Sequence, residues 1–220
     1  MAAIPPTQAI KNALSAARVG TYEAATRDPQ QLPGALALYA WNAKVSGAML
    51  APLHLCEVVV RNAVSDALAA VYGANWPWAP AFEGSLPSPP QGFSLRRELQ
   101  SARNRQPSTG KAIAELKFAF WQKMFTGRFD AQIWNLHLNT VMPFLNPAWT
   151  VQQSRKKIYD DLESIRQLRN RIAHHEPIIS RPLAVDFQKI QELIAFRCPL
   201  TANWMTNNQQ AQALIAAKPI

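Results

Sequence analysis

Glycine is scarce in this chain, with 8 in 220 residues, and apolar and polar residues never alternate for more than a few positions. Strands and the tight turns that join them therefore have little support. Cysteine is nearly absent. The two present, Cys56 and Cys198, are too few for a disulfide scaffold, and each sits in an apolar, helix-like neighbourhood where a thiol is expected to pack as a small hydrophobe. Acidic residues are few as well: 14 Asp and Glu stand against 23 Lys and Arg, a net charge of +9. No long apolar run is free of polar interruption, because the stretch from Leu32 to Val60 contains Lys44, His54 and Glu57. The first residues lack the charged, apolar and small-residue regions of a signal peptide. The expectation is a soluble, cytoplasmic protein that does not cross a membrane.

What remains is a helical pattern. A hydrophobic share of 48% suffices for a substantial core, and the whole chain, residues 1–220, is expected to form a single all-α domain. Pro5, Pro6 and Thr7 precede a modest helix to about residue 17. A long pattern runs over residues 34–72, with Pro52 as a kink or restart, and its 53–68 part is apolar nearly all round, the mark of a central helix. The prolines at 77, 80, 87, 89, 90 and 107 suggest an irregular connection over residues 77–109, interrupted by an Arg-rich piece at 95–105. Trp76 and Trp78 are expected to pack back against the end of the long helix. Further helices are predicted over residues 109–125, 130–140, 183–196 and, more weakly, 208–217. Thr150 and Gln153 form a capping-box pair for another.

That last helix carries the densest chemistry in the chain. Ile158, Leu162, Ile165, Leu168 and Ile172 make an apolar stripe, and the helix runs into Leu168-Arg169-Asn170-Arg171-Ile172-Ala173-His174-His175-Glu176-Pro177. At about 100° per residue Arg169 falls within roughly 40° of the stripe's centre, so a guanidinium is expected to point toward the core. Pro177 disfavours the helical conformation at Glu176, which predicts a stop that leaves the two histidines at an exposed end.

The run resembles the Arg-x4-His signature of HEPN domains, with Arg169, Asn170 and His174 at the matching positions, and LRNRIAHHEPI is similar to Abi-like HEPN proteins of bacteria. Leu55-Cys56-Glu57-Val58-Val59-Val60-Arg61-Asn62 resembles the family's first-helix element of a Glu and an Arg-Asn pair. Phe118-Ala119-Phe120-Trp121 followed by Trp134 is similar to its aromatic middle segment. The resemblance covers most of residues 35–200. It implies a HEPN-like four-helix core with additional peripheral helices, and a homodimer whose two motifs line a shared cleft. The implied activity is a metal-independent endoribonuclease in a phage-defence or toxin role, with RNA as substrate and no cofactor. It leaves open an antitoxin or regulatory partner. Arg169 and His174 are the implied catalytic residues, Asn170 helps to position the cleft, and Glu57, Arg61, Asn62, His175 and Glu176 support them.

Plainer readings of the same residues stand beside these. A cation near a helix C-terminus stabilises the helix dipole, and the motif then serves only to end its helix. Five residues on an ideal helix turn through about 140°, so Arg169 and His174 share a pocket only if the last turn unwinds or two chains meet about a two-fold axis. Glu57 either pairs with Arg61 four residues on or orients Arg169 through a bidentate bond. His174, His175 and Glu176 offer metal ligands, but consecutive residues at a helix end converge poorly. His54 and His137 are expected to be hydrogen-bonded in the interior. Phe118, Phe120, Trp121, Phe125 and Trp134 are expected in the core, with a base-stacking platform as the alternative.

Residues 101–175 hold 12 Lys and Arg against 5 Asp and Glu, so most of the positive surplus leads up to the motif. Arg155, Lys156, Lys157 and Arg171 are its candidate phosphate contacts, the first three doubling as an ordinary solvated face. The alternative function is a non-catalytic helical module that binds RNA or another protein.

Overall fold

The structure is a computed structural model that describes residues 5–26 and 32–219, and among these residues every regular element is helical. Two short helices, Pro6–Leu14 (α1) and Ala16–Glu23 (α2), replace the single helix expected to residue 17. The break is Ser15, at φ 76 and ψ 141, a conformation glycine tolerates and L side chains resist. Its hydroxyl accepts the Arg18 amide and so caps α2. The long apolar run is one helix, Leu32–Tyr72 (α3), which passes through Pro52 without a break. A proline inside a helix forfeits a backbone bond and costs about 3 kcal/mol. Fifteen α3 residues are buried, and each large one contributes roughly 1.5–3 kcal/mol, so packing decides the matter.

The proline-rich connection is helical over much of its length, and residues 86–94 are its irregular part. Trp76–Trp78 form a 3-10 turn, and Pro80–Ser85 (α4) and Leu95–Arg105 (α5) are helices. Trp76 is fully buried, donates Nε1–H to Ser65 Oγ at 3.0 Å and meets Phe82 and Trp121 edge to face. Trp78, expected to pack likewise, is exposed. Arg96 holds the proline turns by donating to the carbonyls of Glu83, Gly84 and Leu86.

Thr109–Glu115 (α6) and Phe118–Met124 (α7) divide what the sequence presents as one helix. Glu98 of α5 accounts for the division. Its carboxylate accepts the Lys117 backbone N–H at 3.2 Å and the Lys117 ammonium at 3.0 Å, placing negative charge at the start of α7 where the helix dipole favours it. A 3-10 turn, Gly127–Phe129, and a π-turn, Asp130–Trp134, lead into Asn135–Val141 (α8). Phe125 and Trp134 stack at 4.6 Å, and all five expected core aromatics of this region are buried.

Val151–Ala173 (α9), Leu183–Arg197 (α10), Pro199–Asn207 (α11) and Ala211–Ala216 (α12) complete the chain; α12 is the weak helix expected near the C-terminus, and α11 is one the sequence did not suggest. α3 is the axis, with α2, α7, α8, α9, α10 and α12 packed around it. One continuous hydrophobic cluster extends from Tyr22 to Ala211, wider than the stretch 35–200. α3 is long and apolar enough to span a membrane by length and composition, an 18-residue stretch of it having a mean hydropathy of 1.4. Arg181 ties α9 to α10: it clasps the buried Asp186 at 2.9 Å with both Nε and Nη2 and also reaches the Ser164 carbonyl.

Candidate functional site at the end of α9

The register of α9 follows from its stripe. Ile158, Leu162, Ile165 and Leu168 are fully buried, and the capping box forms as expected: the Gln153 amide donates to Thr150 Oγ1 and the Thr150 amide to Gln153 Oε1. Four buried aliphatic side chains outweigh any exposed ion pair by several kcal/mol, so the stripe sets the position of every other residue on the helix.

Arg169 corrects the expectation of a core-directed guanidinium. Its side chain is 46% exposed. The angular reading holds, but the wall opposite Arg169 is open: with Asn170 it lines a cleft of about 380 Å³ bounded by Glu57, Phe93, Lys117, Phe118 and Arg166.

The helix ends where Pro177 demands, by a Schellman motif. The Glu176 N–H donates to the Arg171 carbonyl at 2.8 Å and the His175 N–H to the Ile172 carbonyl at 3.0 Å. His175 occupies the left-handed position, φ 55, which is usually glycine's. Both histidines are exposed, as expected. The His174 N–H closes the last turn on the Asn170 carbonyl at 2.9 Å, while its imidazole has no hydrogen-bond or ion-pair partner among the described residues. α9 stays helical through Ala173, so within one chain the last turn does not unwind to bring Arg169 and His174 together.

Glu57 reaches Arg169, but not as a bidentate partner. Oε2 lies 3.9 Å from Nε, an ion pair beyond hydrogen-bond distance. Arg61 does not close the local alternative either, and its Nε is buried without a hydrogen-bond partner. Asn62 is exposed on α3 and lies outside the cleft lining. The well-made pair beside the cleft is one that the motif does not contain: Arg166 donates twice to Glu163, at 2.7 and 3.0 Å, and Gln167 and Gln122 donate to the same carboxylate. Led by the Arg166 bonds, and against the opposing effect of partial burial, these hold the Glu163 carboxyl down at about 2.

The basic run before the motif is largely neutralised within the chain. Arg155 pairs with Asp130 at 2.6 Å and donates to the Phe125 carbonyl, Lys156 pairs with Asp160 at 2.6 Å, and Lys157 joins Asp161 and Glu192. Arg171 donates to the Pro177 carbonyl at 3.1 Å and lies 3.7 Å from Glu176. As phosphate contacts these four are therefore weaker candidates than their charge suggests. His174, His175 and Glu176 do not form a metal-binding group among the described residues. His54, expected inside, is exposed, and His137 is half-buried. Cys56 is fully buried, which pushes its thiol far up; Cys198 is partly exposed, and bonds from Thr201 lower its thiol.

Several residues around the α9 terminus gave no sequence signal. Arg18 of α2 and Asn42 of α3 both bond to the segment 175–178, and Lys117 and Phe93 border the Arg169 cleft. Compared with known protein families, curated proteins and solved structures, the chain matches none.

Proposed function

We propose that the chain is a metal-independent endoribonuclease of the HEPN kind, Abi-like in role, acting in the cytoplasm as a homodimer in which two α9 termini face each other. One observation carries the reading: the His174 imidazole, free of intramolecular partners and exposed, sits five residues from a half-exposed Arg169 that opens on a cleft. An unengaged imidazole takes a proton from a ribose 2'-hydroxyl. O2' then attacks phosphorus, the P–O5' bond breaks as an imidazolium gives a proton to O5', and the products end in a 2',3'-cyclic phosphate and a 5'-hydroxyl. A guanidinium stabilises the charge that develops on the phosphoryl oxygens. Two copies about a two-fold axis supply the convergence that one helix denies, each presenting Arg169 toward the other's His174. DNA, lacking the 2'-hydroxyl, is bound at most.

The test is cleavage of single-stranded RNA in excess chelator by the full chain, read together with sedimentation at micromolar concentration. Expected are cyclic-phosphate ends, a block by 2'-deoxy substitution at the scissile position, and a dimer. A second reading, a non-catalytic module that binds RNA or a protein, is favoured by the engagement of Arg171 and the His175 backbone in ending the helix. Salt-sensitive binding without any cut would establish that reading in place of the first, and cleavage by a strict monomer would remove the composite site.

A further inference from the structure

A cavity larger than the Arg169 cleft also touches the motif. A space of about 570 Å³ lies where α1 and α2 meet α3 and the end of α9, with His175 and Glu176 on its rim. One wall is aromatic: Tyr22 and Tyr39 pack at 4.8 Å, tilted by 53°. Tyr22 is buried, whereas Tyr39 is only half-buried, which leaves ring surface for a flat ligand.

The polar groups around this wall are mostly donors. Arg18 is exposed and, among the described residues, anchored by a single bond, Nη1 to the His175 carbonyl at 2.8 Å, which orients the guanidinium and leaves its remaining N–H groups to the cavity. His175 is held with its imidazole exposed at the left-handed position. Asn42 uses Oδ1 to accept the Ile178 amide at 2.8 Å, so what it has left to offer is Nδ2–H. The one carboxylate of the lining, Glu176, is drawn toward Arg171 at 3.7 Å. An aromatic wall, a donor for a ring edge and an oriented guanidinium beside an imidazole suit a planar heterocycle that carries an anion. The volume falls within the range of small-molecule sites.

We propose that this cavity holds one nucleotide of a single-stranded RNA, its base against Tyr39 and its phosphate at Arg18 and His175. The inference rests on the ribonuclease reading for its choice of RNA and adds a subsite that fixes the strand at the end of α9. Arg18 and His175 act here as binding residues, and the strand continues from them to His174, the next residue in the chain.

Gly47 makes the test clean. It lines the cavity, and a Cβ built there meets nothing within 4 Å, so Gly47→Leu extends a side chain from an open position on the wall and replaces a poor helix former. The four nucleoside 5'-monophosphates are titrated into the full chain at millimolar concentration and followed by calorimetry and by NMR of the tyrosine rings. At least one is expected to bind. Gly47→Leu abolishes that binding with an equal or higher melting temperature, Arg18→Ala weakens it, and Tyr39→Phe retains it. Tyr39→Ala weakens it by roughly 5- to 150-fold, the effect of losing one stacked base. No binding of any of the four, or binding by Gly47→Leu equal to wild type, overturns the proposal.

Cleavage of RNA is scored separately. If Gly47→Leu neither binds a mononucleotide differently nor cuts RNA more slowly, the cavity is no subsite and the ribonuclease reading survives. If no RNA is cut but mononucleotide binding vanishes in Gly47→Leu, the cavity stands and the catalytic reading falls.

Discussion

Arg18 and His175, 157 positions apart, are joined by one bond from Nη1 to a backbone carbonyl at 2.8 Å. That carbonyl belongs to the residue in the left-handed turn that ends α9, so the docking of α2 and the termination of the motif helix are one structural event. An αL conformation at a residue other than glycine costs about 1–2 kcal/mol, and His175 is one of two such positive-φ residues among those described.

His175→Gly is therefore expected to raise stability by about 0.5–1 kcal/mol, since part of the relief is lost to the greater freedom of glycine in the unfolded chain. His175→Val, with a branched side chain, lowers it. Urea midpoints at constant slope report both, and a destabilised His175→Gly would contradict the cap geometry.

His174→Ala is expected to lower RNA cleavage by a factor on the order of 10² to 10⁴, and Arg169→Ala to lower it by several kcal/mol of transition-state stabilisation. Neither unfolds the protein. Arg169 is half-exposed and its pair with Glu57 is loose at 3.9 Å, the kind of contact worth about 0–1 kcal/mol. Calorimetric melting beside single-turnover rates separates the effects; a collapse of the fold in Arg169→Ala would show that the guanidinium bears on the core after all.

The carboxyl of Glu163 is held at about 2 in the folded chain, first by Arg166 and then by Gln167 and Gln122. A carboxylate depressed by folding adds stability that is full above its unfolded pKa near 4.3 and is lost as pH falls toward the folded value. The stability gap between wild type and Glu163→Gln should therefore be largest at neutral pH and shrink between about pH 4.5 and 2. Denaturant titrations across that window check it, and a constant gap would mean that the bonds from Arg166 do not depend on the charge.

Neutralising Arg155, Lys156 and Lys157 together should leave the salt dependence of RNA binding nearly unchanged, because each already has a carboxylate partner. Stability should fall instead, chiefly through Arg155 and Lys157, whose partners lie on or near other elements, while the exposed pair of Lys156 with Asp160 contributes only about 0.3–0.5 kcal/mol. A shallower slope of log affinity against log salt would return these residues to the RNA interface.

How far the sequence carries a reader depends on the range of the forces involved. The start and end of α9 were legible because a capping box, a 3.6-residue apolar period and a pre-proline stop act within a few residues. The same local reasoning ran through Ser15, whose hydroxyl caps α2 only three residues on, and across Leu116 and Lys117, where nothing nearby announces that Glu98, 19 positions away, holds the Lys117 amide. The basic run read as free charge in part because Asp130, the partner of Arg155, and Glu192, the second partner of Lys157, lie far from it in sequence, whereas Asp160 and Asp161 are only four residues from their lysines.

By itself the sequence determined an all-helical chain, a buried stripe on α9, an aromatic core around Trp121 and Trp134, and two histidines at an exposed helix end. Each follows from periodicity and backbone chemistry. Only the tertiary structure decided that Arg169 opens on a cleft, that Glu57 meets it at a distance, and that Arg18, Tyr39 and Asn42 gather around His175. Helical spacing gives the direction in which a side chain leaves its own axis. What stands opposite depends on elements from about fifty to more than a hundred residues away, placed by the burial of α3 among its neighbours.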